Sequence, residues 1–248
     1  MLNFDELELR YRPFPIGLIR SAMAEDVYLE CLREFPETEQ FEYMDEIGHK
    51  YSLSEKNAPA NYDRLIKTVP IWRSLHAWIK SRDFIESAFE ALCAKNVDLG
   101  YERPTWSRRL QRRARSMWRG RGRRADLYSS RFEFSMLPAA GGCVLPHTDN
   151  PEKVITVVIS MVGEGEWSVE YGGGTDVLQP YDERLTFDYL NDQRPDVKEF
   201  EILHTYPFAP NQAVMFAKTF NSWHAVRPMT GPDNGLMRRS LTINIEAH

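Results

Sequence analysis

The second half of the chain, from residue 126 onward, consists of short stretches with the two-residue period of β-strands. In RFEFSML, the apolar residues Phe132, Phe134 and Met136 fall on one side of an extended backbone, and polar residues fall on the other. Further stretches follow, separated by clusters of Gly, Pro, Asn and Asp: VITVVISMV, EWSVEY, FEILHTY, AVMFAK and SLTINIE. Many short strands without helices between them predict two packed sheets, as in a jelly roll.

The first hundred residues have a different spacing, which predicts a mainly helical region. In AEDVYLECLREFP, apolar residues recur every three or four positions until Pro36 ends the pattern. A second helical stretch begins at Pro70, and Ser81 is placed to cap a third. Helices should therefore precede and support the strands.

These two patterns predict a mainly β fold with flanking helices, of the α+β class. A chain of 248 residues suits a single domain. We expect an N-terminal helical support region at 1–105, an Arg-rich insert at 106–125 and a β core at 126–248.

The composition does not favour a membrane protein or a secreted protein. No run of 18 apolar residues exists that would span a membrane. The N-terminus lacks the basic and apolar regions of a secretory signal, and three widely spaced cysteines do not form a disulfide framework. These features predict a cytoplasmic protein.

Residues 107–124 carry nine arginines and no acidic residue. Subtracting these nine charges from the formal net charge of −5 leaves −14 on the rest of the chain. Such a block indicates either a solvated surface insert or a contact for an anionic partner, such as a phosphate group, an acidic glycan or a membrane surface. Both interpretations stay open, and the negative charge of the whole chain does not favour nucleic-acid binding.

The stretch PHTDNP places His147 and Asp149 two residues apart between prolines. In an extended backbone, residues i and i+2 point to the same side, so we expect the imidazole and the carboxylate to project in one direction. A His-x-Asp pair alone is a weak signal, because it also arises by chance on protein surfaces.

Two later stretches strengthen that signal. His224, in NSWHAV, completes the ligand set of a 2-His-1-carboxylate facial triad, which leaves coordination positions on Fe(II) open. In RRSLTIN, Arg238 and Ser240 are again two residues apart, and a guanidinium beside a hydroxyl is suited to binding a carboxylate.

Taken in order, LPHTDNP, NSWHAV and RRSLT resemble the HxD…H…RxS signature of the Fe(II)/2-oxoglutarate-dependent dioxygenase superfamily, in its prolyl-hydroxylase-like branch. The resemblance covers about residues 126–248, and YRPFPIGLIRSAMAEDVYLECLREFP resembles the segment that often precedes this core. It implies a double-stranded β-helix, which is a cupin-like jelly roll. The segment from Gln179 to Thr205 is longer and more acidic than a minimal core of this kind needs.

The resemblance also implies a reaction and a site. His147, Asp149 and His224 would bind Fe(II) as the catalytic centre. Arg238, assisted by Ser240, would bind 2-oxoglutarate, although this choice over the adjacent Arg239 depends on strand parity. The implied reaction consumes O2 and 2-oxoglutarate, hydroxylates an unactivated C–H and releases succinate and CO2, with ascorbate as a stimulant.

Two other functions stay open. One is a non-catalytic jelly-roll module that binds an anionic glycan or lipid head group, and the other is a cupin-type metalloenzyme that does not use 2-oxoglutarate. The intact ligand set favours the oxygenase, and the retained carboxylate of Asp149 favours hydroxylation over halogenation. The sequence does not specify the oligomeric state or the substrate, which we expect to be a small or carrier-bound molecule of anionic character.

Overall fold

The structure is a computed structural model of the chain and describes residues 2–45, 48–101, 127–192 and 195–248. The Arg-rich segment 107–124 lies outside the described residues. Within them, no helix is both long enough and apolar enough to cross a membrane.

Eight strands of the second half form two facing antiparallel sheets. They are β5 (Tyr128–Pro138), β6 (Val144–His147), β7 (Lys153–Ser160), β8 (Thr175–Pro180), β9 (Phe200–Tyr206), β10 (Ala213–Ala217), β11 (His224–Val226) and β12 (Met237–Ala247). The larger sheet holds β10, β7, β12 and β5 as neighbours, and the smaller sheet runs β6, β11, β8, β9. The predicted jelly-roll core is therefore confirmed.

Four N-terminal strands extend the larger sheet at its two edges. They are β1 (Glu8–Arg10), β2 (Ile16–Ile19), β3 (Glu42–Met44) and β4 (Lys50–Ser54). β2 pairs with β10 and β4 pairs with β5, which gives an eight-stranded sheet. The sequence pattern did not reveal these strands, because three to five residues are too few to display a period.

Four helices confirm the helical character predicted for the N-terminal region. They are α1 (Glu25–Arg33), α2 (Pro59–Thr68), α3 (Pro70–Ile79) and α4 (Arg82–Ala94). Pro59 and Pro70 each occupy the first helical turn, where a missing N–H costs no hydrogen bond. The hydroxyl of Ser81 accepts a hydrogen bond from the backbone N–H of Phe84, so the predicted cap of α4 is present.

The apolar face of the larger sheet packs against these helices. Phe134, on β5, is fully buried and meets the ring of Trp72 edge to face, with centroids 4.7 Å apart. Phe35 contacts the same phenyl ring at 5.7 Å. Because side chains alternate along a strand, the polar face of β5 points away from the helices, into the space between the two sheets.

One predicted strand is wrong. The stretch EWSVEY contains a short 3₁₀ helix, Val169–Tyr171. The hydroxyl of Ser168 accepts a hydrogen bond from the N–H of Glu170, and such a local bond competes with pairing in a sheet.

Replacing Phe134 by Ala should lower the free energy of unfolding by about 3–5 kcal/mol, because it leaves a cavity beneath α3. Urea unfolding followed by circular dichroism measures this change. Phe187, which is 70% exposed, is the matched control, and Phe187→Ala should change stability by less than about 1 kcal/mol. Equal effects of the two substitutions would contradict the packing described here.

Candidate metal centre

Two histidines meet because their strands pair. His147 is the last residue of β6, His224 is the first residue of β11, and the two stand directly opposite each other in the antiparallel register. Their ring centroids are 4.2 Å apart. Cross-strand pairing thus brings together two imidazoles that are far apart in the sequence.

Asp149 joins the histidines by a turn in the backbone. Its φ is +60°, which is the left-handed region that Asp tolerates better than most residues. Its Oδ1 lies 3.7 Å from Nε2 of His147, and one ligand atom from each of the three residues lies within 4.8 Å of the others. The structure therefore brings the predicted ligands together, but through a turn at Asp149 and not through the extended backbone that the spacing suggested.

Both imidazoles are held in the tautomer that leaves Nε2 free to bind a metal. Nδ1 of His147 lies 2.8 Å from the carbonyl oxygen of Leu145, and Nδ1 of His224 lies 2.9 Å from that of Ser222. A carbonyl oxygen only accepts, so each Nδ1 carries a proton, and in the neutral form of each ring the lone pair is on Nε2. Burial, together with the neighbouring His147, lowers the pKa of His224 to about 3, so its imidazole is neutral at physiological pH.

The carboxylate of Asp149 is buried, and each of its two oxygens has a polar partner. Lys153 Nζ lies 2.5 Å from its Oδ1, and the hydroxyl of Thr156 donates to its Oδ2 at 2.8 Å. That hydroxyl also lies 3.1 Å from Oδ1 of Asn244, on β12. Burial raises the pKa of Asp149, but the Lys153 ammonium and the two neighbouring histidines together outweigh burial and hold this pKa well below its ordinary value.

Arg238 presents a buried guanidinium to the same space between the sheets. Its Nε donates to the carbonyl of Gly173 at 2.6 Å, its Nη1 lies 3.5 Å from Oγ of Ser240, and its guanidinium carbon lies 4.6 Å from the ring centroid of Phe208. In the part of the chain that the structure describes, no acidic side chain forms an ion pair with it. Burial lowers its pKa to about 10, so it stays charged at neutral pH.

Arg239 lies on the opposite face of β12. Its Nη2 is 2.9 Å from Oε2 of Glu166, and its guanidinium carbon is 5.5 Å from the ring centroid of Phe35. The two neighbouring arginines are therefore separated by strand alternation, and of the two only Arg238 lies between the sheets with Ser240.

Several residues of the centre were not predicted from the sequence: Lys153, Thr156, Gly173, Phe208 and Asn244. Strand parity could have indicated Asn244, because it lies four positions after Ser240 on the same face of β12. Other residues near the motifs have structural contacts. Arg227 pairs with buried Asp176 at 2.8 Å, and fully buried Trp223 packs against Phe200.

No protein-family model and no curated protein sequence matches this chain. A solved prolyl 4-hydroxylase from Phytophthora capsici superposes with a TM-score of 0.52 at 18% identity, and the match covers 94% of this chain and 58% of that one. The chain has the fold of a 2-oxoglutarate oxygenase. The non-heme alpha-ketoglutarate-dependent epimerase SnoN, from nogalamycin biosynthesis, gives a TM-score of 0.51 at 12% identity, covering 94% of this chain and 78% of that one.

Replacing Lys153 by Met should destabilise the metal-free protein by about 3 kcal/mol, because the carboxylate of Asp149 stays buried without its ammonium partner. Chemical denaturation in the presence of a chelator measures the loss. Lys67 and Asp63 are a matched control, because they have the same spacing and the same 2.5 Å contact but are exposed. Lys67→Met should cost no more than about 0.5 kcal/mol, and a comparable loss in both variants would contradict the role assigned to burial.

Proposed function

We propose that this protein is an Fe(II)- and 2-oxoglutarate-dependent oxygenase of the prolyl-hydroxylase-like branch, which hydroxylates an unactivated C–H and releases succinate and CO2. The observation that supports it best is the buried guanidinium of Arg238, which forms no ion pair with an acidic side chain among the described residues. A charge buried without a counterion costs free energy, and a ligand carboxylate would remove that cost. This guanidinium lies between the same two sheets as a three-residue ligand set.

The ligand set fits Fe(II). Two imidazoles and one carboxylate are the donors of the facial triad, and three protein ligands leave room for other ligands. The backbone carbonyls of Leu145 and Ser222 fix the two rings, as the partners of metal-binding histidines generally do. His147, Asp149 and His224 are therefore the residues that would hold the ion.

The surroundings of Arg238 fit the distal carboxylate of 2-oxoglutarate. The hydrogen bond from Nε to Gly173 and the ring of Phe208 fix the plane of the guanidinium. Its remaining N–H groups therefore point in fixed directions even when no ligand is bound. Ser240 is buried beside it and adds a hydroxyl. A carboxylate bound here would receive charge-assisted hydrogen bonds in a dry site, where they are strongest.

The bound ion and 2-oxoglutarate together supply the chemistry that activates O2. The chain itself positions these groups and excludes water from them. The ring centroids of Phe216 and His224 are 4.6 Å apart. Val177 pairs with His224 in the register of the smaller sheet and is also buried. These two apolar side chains shield His224 from water, and keeping water away from an oxidant limits its side reactions.

The two alternatives explain less of the structure. A non-catalytic binding module does not require three ligand residues oriented around one point. A cupin-type metalloenzyme without 2-oxoglutarate leaves the guanidinium of Arg238 unexplained. The nature of the substrate, an anionic partner for residues 107–124, stimulation by ascorbate and the cytoplasmic location stay predictions.

Anaerobic addition of Fe(II) and 2-oxoglutarate to the protein should produce a weak visible charge-transfer band. The band needs both additions, because it arises only when 2-oxoglutarate is bound to the iron. His147→Ala should abolish it, whereas His204→Ala should not, because His204 packs against Tyr206 and makes none of the ligand contacts. A protein that shows no band under these conditions is not the oxygenase we propose.

Arg238→Gln should weaken 2-oxoglutarate binding by about 2–5 kcal/mol, which is on the order of 30-fold or more. Calorimetric titration with 2-oxoglutarate in the presence of Mn(II) measures this loss. Arg239→Gln is the control, because Arg239 pairs with Glu166 on the other face of the strand. If Arg239→Gln causes the loss instead, the assignment of the carboxylate site is wrong.

A further inference from the structure

The residue between the two ligands of the HxD motif has its own binding partners. Thr148 is completely buried. Its hydroxyl donates to the carbonyl oxygen of Asp188 at 2.5 Å and accepts from Nζ of Lys218 at 2.9 Å. The buried hydroxyl of Thr148 therefore has its hydrogen-bond partners in two other segments of the chain.

A second segment runs alongside the ligands and makes further bonds. We call residues 147–151 the metal loop and residues 188–191 the strap. The hydroxyl of Tyr189 donates to the carbonyl of Pro151 at 3.2 Å, and the side-chain amide of Asn191 donates to Oδ1 of Asn150 at 2.9 Å. The strap thus bonds to all three non-ligand residues of the metal loop.

Lys218 joins the strap to the metal loop. It follows β10 directly and is only 9% exposed. Its ammonium also lies 3.3 Å from the carbonyl of Thr148 and 4.8 Å from the ring centroid of Tyr189. One buried cation therefore contacts the residue between the ligands and an aromatic ring of the strap.

The backbone of the metal loop needs such support. Asp149 has a φ of +60°, a conformation that costs roughly 1–2 kcal/mol for most residues with a side chain and less for Asp. A loop without external bonds would relax from this conformation and would have to be ordered again each time a metal binds. Ligands that are ordered in advance bind more tightly, because that cost has already been met by folding.

We propose that Lys218, Thr148 and the strap are positioning residues that hold His147 and Asp149 in their ligand geometry before a metal ion arrives. The inference rests on the proposed function, because the ion concerned is that of the oxygenase site. It also gives a role to part of the long segment between Gln179 and Thr205, which a minimal core does not need.

The test is the affinity for Co(II) alone, measured by calorimetric titration without 2-oxoglutarate. Thr148→Val keeps the shape of the side chain but removes its hydroxyl, and it should weaken Co(II) binding about tenfold, the lower end of what outer partners of metal ligands contribute. Lys218→Met should have a similar effect. Thr148→Ser restores the hydroxyl and should bind Co(II) within about twofold of the unaltered protein, by the same reasoning.

Thr205→Val is the matched control. The hydroxyl of Thr205 donates to buried Asp176 at 2.6 Å, and neither residue bonds to the metal loop. This substitution should lower the thermal midpoint of unfolding without changing the Co(II) affinity, which separates positioning from general stability.

Unchanged Co(II) affinity in folded Thr148→Val and Lys218→Met would overturn the inference while leaving the proposed function intact. If Thr148→Val does not fold, Lys218→Met decides alone, by the same criterion. Failure of the unaltered protein to bind Co(II) would overturn the proposed metal site, and this inference with it.

Discussion

The separation of the two faces of the larger sheet is the constraint on which the rest of the structure depends. One face is apolar and is covered by the helices, so the other is free to carry polar side chains between the sheets. Along β12 this alternation directs Arg238 inward and Arg239 outward. A slip of one residue would exchange them and would turn Ser240, Thr242 and Asn244 toward the helices.

The parts of the fold that could be predicted from the sequence are those with enough residues to show a period. β5 and β12 have eleven residues each, and their alternation is unambiguous. The helices are also marked by end signals, such as Ser81 before α4. By contrast, β11 has three residues, and its place is determined by pairing with β6 and β8, which a local pattern does not report.

The candidate site also has parts that could be predicted from the sequence and parts that could not. The residue types and order of His147, Asp149 and His224 indicated a metal site, because few other uses require that combination. The geometry around these residues could not be predicted from the sequence. The left-handed backbone of Asp149 and its contacts with Lys153 and Thr156 arise from tertiary packing, and neither residue stands at a spacing that marks it as a partner.

The ion pair between Lys153 and Asp149 has a consequence for how the proposed metal site would be loaded. Since an ammonium already balances the charge of the carboxylate, folding does not wait for a cation to neutralise it. An arriving ion would compete with this ammonium for the carboxylate of Asp149. We therefore expect that the chain folds before an ion binds, and that removal of the ion leaves the fold intact.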